Sequence, residues 1–335
     1  MLSPTRRNKL GENKMTMFGD QVYQYGGAPV NGFMTTGQVW FVKPSTGSDG
    51  NNGKKPSQAF KTLSKAQSMA TADKGDVVYF VSESNTAANT TDYQSAVLAW
   101  AKDGVHLIGI NSLNYLQQRS RIAQLSTATN VDDLFTVSAD NCYIANISVF
   151  HGVADATSKG AVLVSGQRNR FHRVTMSGIG HATMDTADNY SLKVTGSEND
   201  FTESYIGLST IARGTATYEM TLASGATRNR FEKCTIDSYA SAAGYVWLKV
   251  ASGGIDRWTL FDDCMFINMP AGDAAGTAMT EGFDITGGGS PDGIIILKHC
   301  GFVGANTVEA DTVSGKLMLM TYADAGDTGL FVDAT

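Results

Sequence analysis

Phe171-His-Arg-Val174-Thr-Met176, Phe201-Thr-Glu-Ser204-Tyr-Ile206, Phe231-Glu-Lys-Cys234-Thr-Ile236 and Phe261-Asp-Asp-Cys264-Met-Phe266 follow one another at steps of 30 residues. Each places a large apolar residue first, a smaller one three positions on, and a large one two beyond that. Looser copies flank them at Val105/Ile108/Ile110, Ile144/Ile147/Val149 and Leu297/Cys300/Phe302, after steps of 39, 27 and 36 residues. Self-similarity at such a period means stacked units that share one continuous core. Upstream of the phenylalanines runs a second apolar stretch, at 161–166, 191–196 and 221–225. Gly, Ser, Asn and Asp bound these runs, and helical periodicity is nearly absent. The chain therefore reads as all-β: a right-handed parallel β-helix, a solenoid whose neighbouring coils lie about 4.8 Å apart.

Charge supports the register independently of the apolar pattern. Two residues after each anchor stand Arg173, Glu203, Lys233 and Asp263; one before it stand Arg170, Asp200 and Arg230; three before it stand Arg168, Glu198 and Arg228. Stacking in register sets opposite charges side by side on neighbouring strands. Exposed pairs contribute about 0 to 1 kcal/mol each, against about 1.5 to 3 kcal/mol for burying a phenylalanine. The columns thus select register more than they stabilise, and the acids beside these arginines argue against an anion or polysaccharide site there. Asn169, Asn199 and Asn229 predict an asparagine ladder at a turn, with the side-chain amides bonding one another. Cys234, Cys264 and Cys300 share one repeat position and predict an inward column beside Val174 and Ser204. All four cysteines are expected to be free thiols.

Both ends of such a rod need covers. A helix over 58–70, capped by Ser57 and presenting Phe60, Leu63, Ala66 and Met69/Ala70, is expected over the first coil, followed by a buried strand Val77-Val-Tyr-Phe-Val81. The turn-rich loop at 46–53, which leads into that helix, lacks the spacing and terminal Glu of a calcium loop. The domain plan is an extended arm at 1–37, cap and first coil at 38–95, coils at 96–304, and a final strand and cap at 305–335. Residues 316–322 are read as that strand. A net charge of −6 and a pI near 5.4 disfavour nucleic acid as a partner. No apolar run is long enough to span a bilayer, the first residues lack a secretory apolar centre, and no motif requires a cofactor or metal.

The arm contrasts with the rod. It is basic at Arg6, Arg7, Lys9 and Lys14, then carries Phe18, Tyr23 and Tyr25 among glycines, with Met15 and Met17 as alternative starts. It reads as a segment that orders on a partner, with Phe18, Tyr23, Tyr25, Arg6 and Arg7 as the partner-binding residues. Residues 40–83, with Gly47-Ser-Asp-Gly50, Ala59-Phe60-x-Thr62-Leu63-x-Lys65-Ala66 and Gly75-Asp-Val-Val-Tyr79, resemble the first turn of pectate-lyase-like β-helix proteins. Phe18-Gly-Asp-Gln-Val-Tyr23-Gln-Tyr25-Gly-Gly-Ala-Pro29-Val30 looks like the leader of β-helix proteins of tailed bacteriophages.

That resemblance implies a non-enzymatic virion protein, made in the host cytoplasm. Its arm would anchor a capsid decoration or head-associated rod to the major capsid protein or another virion protein; a flat-sided rod can bundle about a threefold axis, so a homotrimer is expected. The alternative is a tailspike or fibre-like protein that binds or depolymerises a host glycan, as a polysaccharide lyase or glycoside hydrolase. For that chemistry Asp262, Asp263, Glu232, Glu203 and Asp237 are the available carboxylates and Arg173 and Lys233 the nearest bases. No catalytic constellation is legible among them.

Overall fold

The computed structural model describes residues 35, 37–82, 86–111, 116, 119–268, 276–285, 293–309, 316–320 and 331–332. The central coils each contribute one strand to each of three largely parallel sheets, of 11, 8 and 7 strands, here called sheets 1, 2 and 3. In one coil the chain runs Gly160–Val164 in sheet 3, Arg170–His172 in sheet 1 and Thr175–Ser177 in sheet 2, then crosses a longer loop to Tyr190–Val194 in sheet 3 of the next. The winding is a right-handed parallel β-helix.

The repeat motif lines the inside of the corner between sheets 1 and 2. Phe171, Phe201, Phe231 and Phe261 stack as parallel rings, with centroids 4.7, 4.5 and 4.6 Å apart. The column continues through Ile144 and Leu107 to Val78 and Trp40 on one side, and through Leu297 to Leu319 on the other. Leu107, rather than the expected Val105, is therefore the anchor of its coil, and Ile108 faces outward. The anchor lies two positions after Val105, which the repeat pattern does not separate from Leu107 because both are apolar and the loop before them differs in length from those of the other coils.

The asparagine ladder forms, with a different partner than expected. The Asn199 Oδ1 accepts the Asn169 backbone N–H at 3.0 Å, Asn229 does the same for Asn199 at 2.9 Å, and each Nδ2 donates to a carbonyl of the preceding coil. The side chains thus satisfy turn backbone that the sheets leave unpaired, rather than bonding one another. Cys234 and Cys264 are buried and Cys300 half-buried, with thiols directed at main-chain carbonyls one coil back; all four cysteines are free.

Two of the three charge columns lie on corners, not on strands. Arg173, Glu203, Lys233 and Asp263 have φ between 47 and 55°, and Arg168, Glu198 and Arg228 between 54 and 59°. One left-handed residue turns the chain from sheet 1 into sheet 2 and aims its side chain at solvent. Arg173 still meets Glu203 at 2.7 Å, and Glu198 meets Arg168 at 2.8 Å and Arg228 at 2.7 Å. Lys233 closes no ion pair among the described residues, since Glu203 is already held by two nitrogens of Arg173. Arg230 takes Glu232 of its own strand at 2.7 Å in place of Asp200.

The lid is shorter than the sequence suggested. Pro56–Gln58 is a single 3-10 turn, and the helix is Leu63–Met69, capped by Thr62, whose side chain accepts from the Lys65 N–H. Phe60 stays extended, bridged to Val42 and stacked on Trp40 at 5.9 Å, so the helix cannot begin before it. Leu63, Ala66 and Ala70 close the core, while Met69 is exposed. Asp49 in the 46–53 loop accepts the Lys61 and Thr62 N–H groups, a capping role. A smaller apolar cluster, Phe41, Ala59, Val77, Tyr79, Val81 and Ile108, lies on the outer side of sheet 1. The final strand forms at Leu317–Met320, and its pairing with Phe331–Val332 is antiparallel. No helix among the described residues is long and apolar enough to cross a membrane.

Candidate functional site

The residues that the sequence nominated do not form a site. Phe18, Tyr23, Tyr25, Arg6 and Arg7 lie outside the described residues. Among the acids, Glu203 is held by Arg173, Glu232 by Arg230, Asp262 by Lys298 at 2.9 Å, and Asp237 by the Tyr205 hydroxyl. They are spread over the outer faces of two sheets and the corner between them, each with its own partner. A stronger charge cluster is sealed inside the solenoid. Glu219 accepts from Ser191 and from Tyr245 at 2.6 Å and lies 3.8 Å from Arg213, whose guanidinium donates to the carbonyls of Gly178, Ile179, Leu208 and Ile211. Burial raises the Glu219 carboxyl against the pull of Arg213. Having no exposed surface, this cluster anchors the loop at 208–217 and offers nothing to a ligand.

The outer face of sheet 3 differs. Register aligns Asp133, Gly160 and Tyr190 on three successive strands. Gly160 lets the Tyr190 ring lie flat across it, since a Cβ there would come within 2.1 Å of that ring, and the Tyr190 hydroxyl reaches Asp133 two coils away. Tyr218 repeats the posture one coil on, stacked on Tyr190 at 6.4 Å and 16°. The ammonium groups of Lys193 and Lys249 stand 5.8 and 5.6 Å from the centres of the two rings. Asp132, Asp188 and Lys159 complete the rim of a cleft of about 280 Å³.

Its electrostatics are graded. Burial raises the Asp133 carboxyl, outweighing the bond from Tyr190 and the pull of Lys193, and burial followed by the charge of Asp133 raises the Tyr190 phenol. Asp132 and Lys159 are solvated, 4.0 Å apart. The cleft therefore combines carboxylate acceptors, ammonium donors and the half-buried ring of Tyr218 within reach of one ligand. Sequence reasoning missed it because Asp132-Asp133, Asp188 and Tyr190 precede or open the strands of sheet 3, where the copies diverge. The usable signal was Tyr190 and Tyr218 entering strands that align one coil apart.

No protein-family model matches the chain, and no curated protein matches it. Among solved structures it is similar to pectate lyase Pel9A, with a TM-score of 0.55 and 15% identity over 80% of this chain and 64% of that one. The chain thus spans 64% of the length of that lyase. Pectin methylesterase PemA from Erwinia chrysanthemi gives a TM-score of 0.53 at 14% identity, covering 89% of this chain and 92% of that one. The deglycosylated pectin methylesterase from Aspergillus niger gives 0.50 at 15%, covering 88% and 83%. At these identities the likeness is one of fold, a pectate-lyase-like parallel β-helix.

Proposed function

We propose that the chain is a glycan-binding β-helix that holds a hydroxyl-rich polysaccharide along the outer face of sheet 3. The observation that carries this reading is the cleft around Tyr190 and Tyr218. Sugars present C–H faces that rest on aromatic rings and hydroxyls that need both donors and acceptors; Tyr218, Lys193, Asp132 and Asp188 supply all three. The fold it shares with carbohydrate-active proteins agrees with this, although fold alone does not assign function. On an array of bacterial and plant polysaccharides, the purified chain should retain a defined subset. Replacing Lys193 by Ala together with Asp188 by Asn should weaken retention at least tenfold without changing the melt. Retention of nothing, or of the same glycans by the double variant, refutes the reading.

One observation favours depolymerisation as a second reading. Asp133 stands in the same cleft as the solvated Asp132 and Asp188, and glycoside hydrolysis uses a pair of carboxyl groups flanking the scissile bond. Release of reducing ends by the wild type and not by Asp133→Asn distinguishes cleavage from binding. We further propose that the arm at 1–37 fastens the rod to a virion, as a tail spike or head fibre, leaving the glycan face outward.

A further inference from the structure

A second pocket, of about 330 Å³, opens on the outer face of sheet 2 near the lid. One small side chain makes it. Tyr93, Ala123 and Phe150 lie side by side on successive strands, so a methyl group separates two aromatic side chains about 9 to 10 Å apart, two strand spacings. Phe150 leans away from the slot over Gly152 and Gly180, where Cβ atoms would come within 2.6 and 2.7 Å of its ring. Tyr93 is 43% exposed. Gln124 forms a fixed wall, bonded to His151 at 2.6 Å and to the Ala128 carbonyl at 3.0 Å.

Arg121 sets the charge. Its guanidinium stands 5.7 Å from the centre of the Phe150 ring, and its Nε donates to Thr91 Oγ1 at 3.0 Å. Among the described residues no carboxylate lines this pocket, and Arg121 meets no acid. The arginines of the corner columns and the buried Arg213 each face one. A guanidinium standing beside a ring, oriented by one bond and with no carboxylate on it among the described residues, is a ready donor fork for an oxyanion.

We propose that this pocket binds a sugar ring bearing one anionic substituent, the oxyanion on Arg121 and the C–H face on Tyr93 or Phe150. The proposal rests on the glycan reading for the ligand being a sugar, and on nothing in the sheet 3 cleft. The full chain is titrated calorimetrically with glucuronate, glucose 6-phosphate, glucose and acetate. At least one anionic sugar should bind tenfold more tightly than glucose or acetate, and which of the two does so separates carboxylate from phosphate.

Arg121→Gln should weaken that binding at least tenfold, as should Tyr93→Ala. Arg121→Lys, which keeps the charge but loses the fork, should weaken it as well and serves if Arg121→Gln fails to fold. Binding of anionic sugars here without polysaccharide retention by the sheet 3 face would leave this site standing and remove the cleft. Equal binding of glucose, no binding of either anionic sugar, or wild-type affinity in the Arg121 variants overturns the proposal.

Discussion

A left-handed backbone costs a Cβ-bearing residue about 1 to 2 kcal/mol, yet the corner between sheets 1 and 2 places Arg173, Glu203, Lys233 and Asp263 there. The inward Phe column was legible because large apolar residues recur at a fixed step. The corners were not, because the usual marks of this conformation are Gly and Asn, and the charged residues imitate a strand face. Lys233 has no ion pair among the described residues to offset the strain, so it isolates the backbone effect. Replacing Lys233 by Gly should leave stability within about 1 kcal/mol of wild type, relief of strain offsetting the freer unfolded chain. Replacing it by Val should cost more than about 1 kcal/mol, since a β-branched residue fits this region worst. Replacing Phe231 by Ala should cost about 3 to 5 kcal/mol by opening a core cavity. Urea titration of the three variants gives the order; a valine tolerated as well as glycine would contradict the corner geometry.

Among the elements, the lid shows where sequence reasoning stopped. Phe60 fits the amphipathic pattern of a helix from 58 to 70, but the lumen takes it in extended form, and Thr62 with Asp49 sets the true start. The bridge to Val42 and the packing against Trp40 hold Phe60 extended. The lid also depends on Asp92, 4% exposed, which accepts the Leu63 N–H at 2.8 Å. Burial raises its carboxyl to about 6, above the unfolded value of about 3.9. The folded state therefore holds this proton more tightly: the stabilising contribution is complete below pH about 4 and is lost as pH rises through about 6. Asp92→Asn keeps an acceptor without the charge, so it should be more stable than wild type at pH 7.5, by up to about 2 to 3 kcal/mol. That advantage should vanish by pH 4. A variant less stable at pH 7.5 would mean that attraction between the ionised carboxylate and the helix N-terminus outweighs its desolvation.

At the scale of the whole molecule, the solenoid could be derived because one pattern repeats, and its binding surfaces could not because they use what does not repeat. Gly160 matters only because Tyr190 lies one coil above it, and Ala123 only because Tyr93 and Phe150 flank it. Such relations need the register of sheets 2 and 3, which the divergent loops between coils conceal. The rod that results carries an apolar cluster on the outer face of sheet 1 and ion pairs along its edges and corners, and among the described residues a ligand-sized cleft opens on the outer face of each of sheets 2 and 3. The most direct measurement is a crystal structure of the rod soaked with the tightest oligosaccharide from an array. Density is predicted in the sheet 3 cleft, with a sugar ring over Tyr218 and hydroxyls bonded to Lys193 and Asp188. Density bound only on the outer face of sheet 1, or no oligosaccharide bound at all, would contradict the account.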